Sequence, residues 1–222
     1  MSYLNDIGAI LAAVAAQDAW GIREALKSDA AWVLGLIVAL VGGWAVAMVY
    51  RLVPWLDRHL ERTFMVGSYL AIALIIFWGV VDRFVFSNQQ PWSTTIPPLL
   101  FMIMAWFGAT YNVRLRSHLS FSEFRSRMGR AGQMACLCLD NILWMTFSII
   151  VIVTTTRAAA LSASNFQIVL GTDDVMQWWF LLTAPFAFLL MAARVVENFS
   201  EDLENYRNGD DLIKQAVIGG GE

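Results

Sequence analysis

Charge is scarce in this chain. Of its 222 residues, 15% are Asp, Glu, Lys or Arg, against about 25% in an average soluble domain. It has two histidines, His59 and His118, and two cysteines, Cys136 and Cys138. Cysteines two apart on a helix point to nearly opposite faces, which speaks against a disulfide between them or a shared metal. Both histidines fall in basic segments that flank apolar runs, so no run carries the axial histidines of a transmembrane di-haem cytochrome. Metalloprotease, nucleophile-elbow and phosphate-loop motifs are missing, and the glycines at 219–221 read as a flexible end. The net charge of -3, with no basic domain, excludes nucleic acid as a partner. The expectation is a chain that is not an enzyme and holds no cofactor of its own.

What is abundant is apolar sequence. Hydrophobic residues make up 58% of the chain and the mean hydropathy is +0.57. They gather in five blocks, at 32–50, 64–81, 97–113, about 134–154 and 176–193, and none holds a Lys or Arg. Roughly 20 apolar residues span a bilayer as a helix. Continuous runs, without a polar residue at every second position, argue against a membrane barrel. The fold class is therefore all-α, a polytopic membrane protein of about five transmembrane helices with short amphipathic interfacial helices. The stretch 7–16 is too short to span and lacks a basic leader. It reads as an interfacial or loosely ordered amphipathic helix, with a cleaved signal as the minor alternative.

The basic residues fix an expected orientation. Eleven of the 15 Lys and Arg lie in segments 51–63, 114–130 and the tail, and four lie on the other side. The excess side is expected to be cytoplasmic, which puts the N-terminus outside and the C-terminus inside. Arg114 and Arg116 then mark the cytoplasmic end of the third helix, in reach of anionic lipid headgroups. Trp32, Trp55, Trp92, Trp178 and Trp179 lie near block ends, as an aromatic belt requires. Residues 120–123, SFSE, form a capping-box pattern before a short amphipathic surface helix, and 54–65 reads as a second one.

Charges at membrane depth are candidate sites by default. Asp82 and Arg83 adjoin the end of the second block and read as boundary residues. Asp140 lies inside the fourth block. It pairs with a basic group at the same level, such as Arg114 or Arg116, faces a partner subunit, or binds an ion. Pro185 interrupts the fifth block, and no internal repeat of the kind found in complete transporters is visible.

Residues 64–200 resemble the small membrane subunit, the Q subunit, of tripartite ATP-independent periplasmic (TRAP) transporters. The signature residues are Arg83-Phe84-Val85-Phe86 after the first helix and Trp92 after a short outer loop. A Gly108-Ala109 step follows, then Arg114, Arg116 and His118, and Arg194 near the end of the last helix. Two features depart from the pattern. Thr94 and Thr95 stand where the family usually has a carboxylate, and the helix 32–50 is an addition before the four family-like helices. The resemblance implies a non-catalytic scaffold for a large membrane subunit. That partner would carry substrate with sodium, and a periplasmic binding protein would deliver an organic-acid-like solute. The implied location is the cytoplasmic membrane of a bacterium or archaeon, with lipids as further partners.

The expected division is 1–31 periplasmic segment, 32–50 extra helix, 51–63 cytoplasmic interfacial segment, 64–196 four-helix domain and 197–222 acidic cytoplasmic tail. The competing readings are a membrane anchor for a redox enzyme and a small stand-alone channel or carrier.

Overall fold

The Val53-Pro54 pair sets the first reversal of the chain. A residue before proline is pushed out of the helical region, and a proline is well placed to open the next helix. Val53 has φ -125° and ψ 81°, and Pro54 starts a new helix. The computed structural model describes residues 2–88, 90–116, 125 and 127–212. The capping box at 120–123, His118 and Lys214 lie outside the described residues.

In chain order the described helices are α1 (Ser2–Ala15), α2 (Ala19–Ala25), α3 (Ala30–Leu52) and α4 (Pro54–Phe84). They continue with α5 (Trp92–Leu115), α6 (Arg130–Ser164), α7 (Gln177–Leu181) and α8 (Thr183–Asn208). Five spans are long and apolar enough to cross a membrane: α3, α4, α5, α6 and the joined α7–α8, Gln177–Asn208. The protein is an all-α polytopic membrane protein.

Several elements differ from the sequence expectation. The segment 51–63 is not a separate interfacial helix, because α4 runs unbroken for 31 residues. At 1.5 Å per residue it is about 46 Å long, well beyond a hydrocarbon core of roughly 30 Å. Its first turns therefore stand clear of the apolar layer as a rigid extension of the span. Trp92 opens α5, so Pro97 and Pro98 lie inside that helix. They cost it the backbone bonds to the carbonyls of Ser93 and Thr94. The last span breaks at Leu182, just before Pro185, dividing α7 from α8. The expected tail is structured as far as Asn208, because α8 continues through it and buries Asp202.

α8 is the central helix. Its Ala184, Ala187, Ala192 and Ala193 are buried, as are Phe188 and Met191. These small residues let neighbours approach closely, the main packing device where the surrounding lipid is as apolar as the side chains. Phe188 meets Trp106 of α5 and Phe147 of α6 edge-on, at 5.5 and 5.4 Å between centroids. α4 sits at the periphery and packs mainly on α5, where Phe64 stacks on Phe107 at 4.3 Å.

α3 uses its small residues inside the chain. One wide turn of π type, Val38–Gly42, shifts its register. Ala39 and Ala47 are buried, and Gly43 lies against the backbone of α8. A Cβ on Gly43 would meet the Ala192 carbonyl carbon at 3.2 Å and the Ala193 nitrogen at 3.3 Å. The small residues Gly35, Gly42 and Gly43 of α3 are packed against α6 and α8. One face of α1 is also packed: Ile10 is buried with Leu26, Ala30 and Val153. Arg157 of α6 secures this cap by donating from Nε to the Leu26 carbonyl at 2.8 Å.

At the same end of the bundle the loop 165–176 folds over the start of α5. Its turn needs a glycine: Gly171 has φ +82°, and a Cβ there would lie 2.6 Å from Pro91. Thr95 donates to the Leu170 carbonyl at 2.7 Å and ties the loop down.

Gly43→Leu is expected to lower stability by about 1–3 kcal/mol, because backbone cannot move aside as a side chain can. Gly67→Leu, at a position with open space beyond it, is expected to leave the melting temperature of the detergent-solubilised chain unchanged. Equal losses in the two variants would refute the close-packing account of α3.

Candidate functional site

Asp57 and Glu61 stand four residues apart on α4 and so share one face. Opposite them α8 presents Arg194 and Glu197, α5 presents Arg114, and α3 presents Tyr50. These six side chains form a network at the basic end of the bundle. Arg194 is 3% exposed and Glu61 is fully buried. The Arg194 Nε donates to Glu61 Oε1 at 2.7 Å, and its Nη1 donates to Glu197 Oε2 at 2.8 Å and to Asp57 Oδ1. Its Nη2 donates to the Asp57 carbonyl at 3.0 Å. The guanidinium also lies 3.9 Å from the centre of the Tyr50 ring. The Tyr50 hydroxyl donates to Glu61 Oε1 at 3.2 Å, and Arg114 Nη2 donates to Asp57 Oδ2 at 2.9 Å.

The result is a clasp joining α3, α4, α5 and α8. Arginine suits the role because its rigid fork serves several acceptors in one plane. Three carboxylates face two guanidinium groups here, an excess of one negative charge. Among the described residues Glu61 Oε2 has no hydrogen-bond partner, and it sits 3.9 Å from Arg114 Nη1.

A second cluster lies beside the first. Arg116 ends α5 in the left-handed region, φ 51° and ψ 27°, which turns its side chain toward α8. Nη1 donates to the buried Asp202 at 2.5 Å, and Nη2 donates to the Asn198 carbonyl at 3.0 Å. Asn141 of α6 donates to the other Asp202 oxygen at 3.2 Å. Asn198 returns a bond to the Val113 carbonyl at 3.1 Å. Arg130, at the start of α6, donates to the carbonyls of Asn205, Tyr206 and Gly209, satisfying the open end of α8.

The residues singled out from sequence thus fall into two groups at opposite ends. Arg114, Arg116, Arg194 and Asp140 are at the basic end. Asp82, Arg83 and Trp92 are at the other, with Gly108 on α5 near Met65. Asp140 pairs with Arg125, not with Arg114 or Arg116, whose guanidinium groups are already held by α4 and α8. The hydrogen bond to Asp140 raises the Arg125 pKa above its ordinary value, against a smaller opposing effect of burial. The stabilisation from that shift is present throughout physiological pH and is lost only under strongly alkaline conditions. Sequence reasoning missed Asp57, Glu61, Glu197 and Asp202. The available signal was the i, i+4 pair of carboxylates at the start of α4 and the carboxylates that follow Arg194 on α8.

Among the described residues no three His, Cys, Asp or Glu side chains are grouped so as to hold a metal ion. The carboxylates of the clasp are turned onto guanidinium groups, and their chemistry is to fasten helices.

Residues 72–205 match the family described as tripartite ATP-independent periplasmic transporters, DctQ component. The chain belongs to that family. The match starts within α4 and ends near the close of α8, so Arg114, Arg116, Asp202 and Arg194 are inside it and Tyr50, Asp57 and Glu61 precede it. The DctQ-family chain is also similar to the sialic acid TRAP transporter small permease protein SiaQ of Vibrio cholerae. Identity is 21% over 173 residues, covering 77% of this chain and 98% of that protein.

Removing one member of a buried ion pair leaves the other charged and unpaired, at about 3–5 kcal/mol. Arg194→Ala is therefore expected to lower the melting temperature sharply, and adding Glu61→Gln is expected to restore part of the loss. A double variant no better than Arg194→Ala alone would contradict the pairing. The double reversal Arg114→Glu, Arg116→Glu places like charges against Asp57 and Asp202. It is expected to reduce the membrane level of the protein, and a normal level on immunoblot would count against the clasp.

Proposed function

We propose that this chain is the non-catalytic small permease subunit of a TRAP-type secondary transporter. In this reading it braces a large sodium-coupled subunit that takes up an organic-acid-like solute delivered by a periplasmic binding protein. The observation that carries it is membership of the DctQ family over α4–α8. Two features of the chain support it. The charges at the basic end, Arg194, Glu61, Asp57 and Arg114, are spent on one another and stiffen the bundle. α4 and its neighbours also present wide apolar faces, with Tyr69, Leu70, Leu74, Phe77 and Trp78 exposed along one helix.

The proposed setting is the cytoplasmic membrane of a bacterium or archaeon, with the basic clasp end inside and the α1–α2 cap outside. The excess of basic residues at the clasp end supports that orientation. The extra helix α3 is proposed as an internal brace, since it packs on α6 and α8 and supplies Tyr50 to the clasp.

Native mass spectrometry of the tagged chain, gently solubilised from its own host, tests the reading. The expected result is a one-to-one assembly with a single larger polytopic protein. A chain recovered alone, as a homo-oligomer or with a haem-sized adduct would reject it.

A further inference from the structure

α4 and α5 are fastened at the basic end by the Arg114–Asp57 pair and touch again at Gly79 and Ser93 near their other end. Beside that second contact an open groove of about 690 Å³ runs between them. Its walls are apolar, formed by Ile76 and Val80 of α4 and Pro98 and Phe101 of α5, with Arg83 and Thr94 at the helix-end side. The volume falls within the roughly 300–1,000 Å³ of small-molecule sites. Ile76, Val80 and Phe101 are exposed, so the groove opens to whatever surrounds the bundle.

Arg83 is the cation at the groove. Arg114, Arg116, Arg125 and Arg194 each pair with a carboxylate. For Arg83 the described residues provide only the ring of the adjacent Phe84, 5.7 Å from the guanidinium carbon. Asp82 precedes it but points elsewhere: successive helical residues are about 100° apart, and Asp82 is not part of the groove lining. Along α4 the lining positions 72, 76, 79, 80 and 83 make one continuous helical face. A cation therefore closes the headgroup-level end of an apolar crevice whose other end points into the hydrocarbon.

We propose that this groove is a phospholipid site, with an acyl chain lying between α4 and α5 and the phosphate held by Arg83. The charge arrangement fits a phosphate, which the guanidinium fork binds through paired N–H groups. The walls fit an acyl chain better than a partner helix. They are neighbouring helices already in contact, whereas a helix with its side chains is about 10–12 Å across.

Native mass spectrometry of the purified full-length chain, titrated with phosphatidylglycerol and with diacylglycerol of the same acyl chains, tests the site. The expected result is one tightly retained phosphatidylglycerol. Arg83→Gln is expected to weaken it about fivefold, the equivalent of ~1 kcal/mol for one basic group at a membrane surface. Arg62→Gln, an exposed arginine toward the other end of α4, is expected to leave it unchanged, and Ile76→Trp is expected to abolish retention by filling the crevice. Undiminished retention in Arg83→Gln overturns the proposal. In host membranes, a benzophenone amino acid at position 80 is expected to give an adduct of phospholipid mass. A crosslink to a polypeptide, whether a larger subunit or a second copy, overturns it.

Discussion

The buried guanidinium of Arg194 is the constraint on which the bundle depends. A cation 3% exposed beside a fully buried carboxylate is tolerable only when its donors are satisfied together. The acceptors come from α4 and from α8 itself, and α3 adds an aromatic face. None of these helices can rotate or slide by a turn without stranding a charge. Apolar packing in a membrane gives little such discrimination, because lipid tails are as good a neighbour as leucine. The ion pairs therefore set register, and the alanine-lined contacts of α8 set distance. The two devices agree, since Ala192 and Ala193, whose backbone packs against Gly43 of α3, lie directly before Arg194.

Helix length follows from the same arrangement. α4 outruns the hydrocarbon layer at its start because Asp57 and Glu61 must meet Arg194 and Arg114, which belong at the polar boundary. α8 outruns it at its end because Asp202 and Asn198 must receive Arg116. Both overhangs are at the basic end, so one end of the molecule is a small polar domain made only of helix extensions. The opposite end is lighter. A loop tied by Thr95 to Leu170, and the α1–α2 cap held by Arg157, are its main fastenings.

The spans were legible in the sequence because an apolar run of twenty residues has one stable outcome in lipid. All five blocks are helices. In the sequence Arg114 and Arg116 read as boundary cations for lipid headgroups and Arg194 as the end of a family pattern, whereas in the fold each is held by a carboxylate of another helix. Their partners were not legible. Asp57 and Glu61 sit among Arg58, His59 and Arg62, and that mixture reads as a solvated surface helix when viewed alone. Only the fold brings Arg194, 133 residues beyond Glu61, onto the same face. The acidic stretch after residue 197 misled in the same way, since a run of carboxylates looks like a tail until Arg116 and Asn141 are found against it. The breaks were also hidden. Pro97 and Pro98 mark an apparent helix start in sequence, yet α5 accommodates both and begins at Trp92.

α3 is bound into the bundle by charge as well as by packing. It precedes the family match, yet it cannot be removed without exposing charge. Tyr50 covers the Arg194 guanidinium with its ring and donates to Glu61 with its hydroxyl, so a truncated chain would leave both ions with one boundary missing. Asp57 and Glu61 also precede the match, and they are the carboxylates that Arg194 and Arg114 require. Residues 72–205, the part matched to the family model, contribute both cations, and the start of α4 and the end of α3 contribute two anions and their aromatic lid. The clasp thus ties α3 to α4, α5 and α8 through Tyr50, and the short Val53-Pro54 turn between α3 and α4 keeps the two in register.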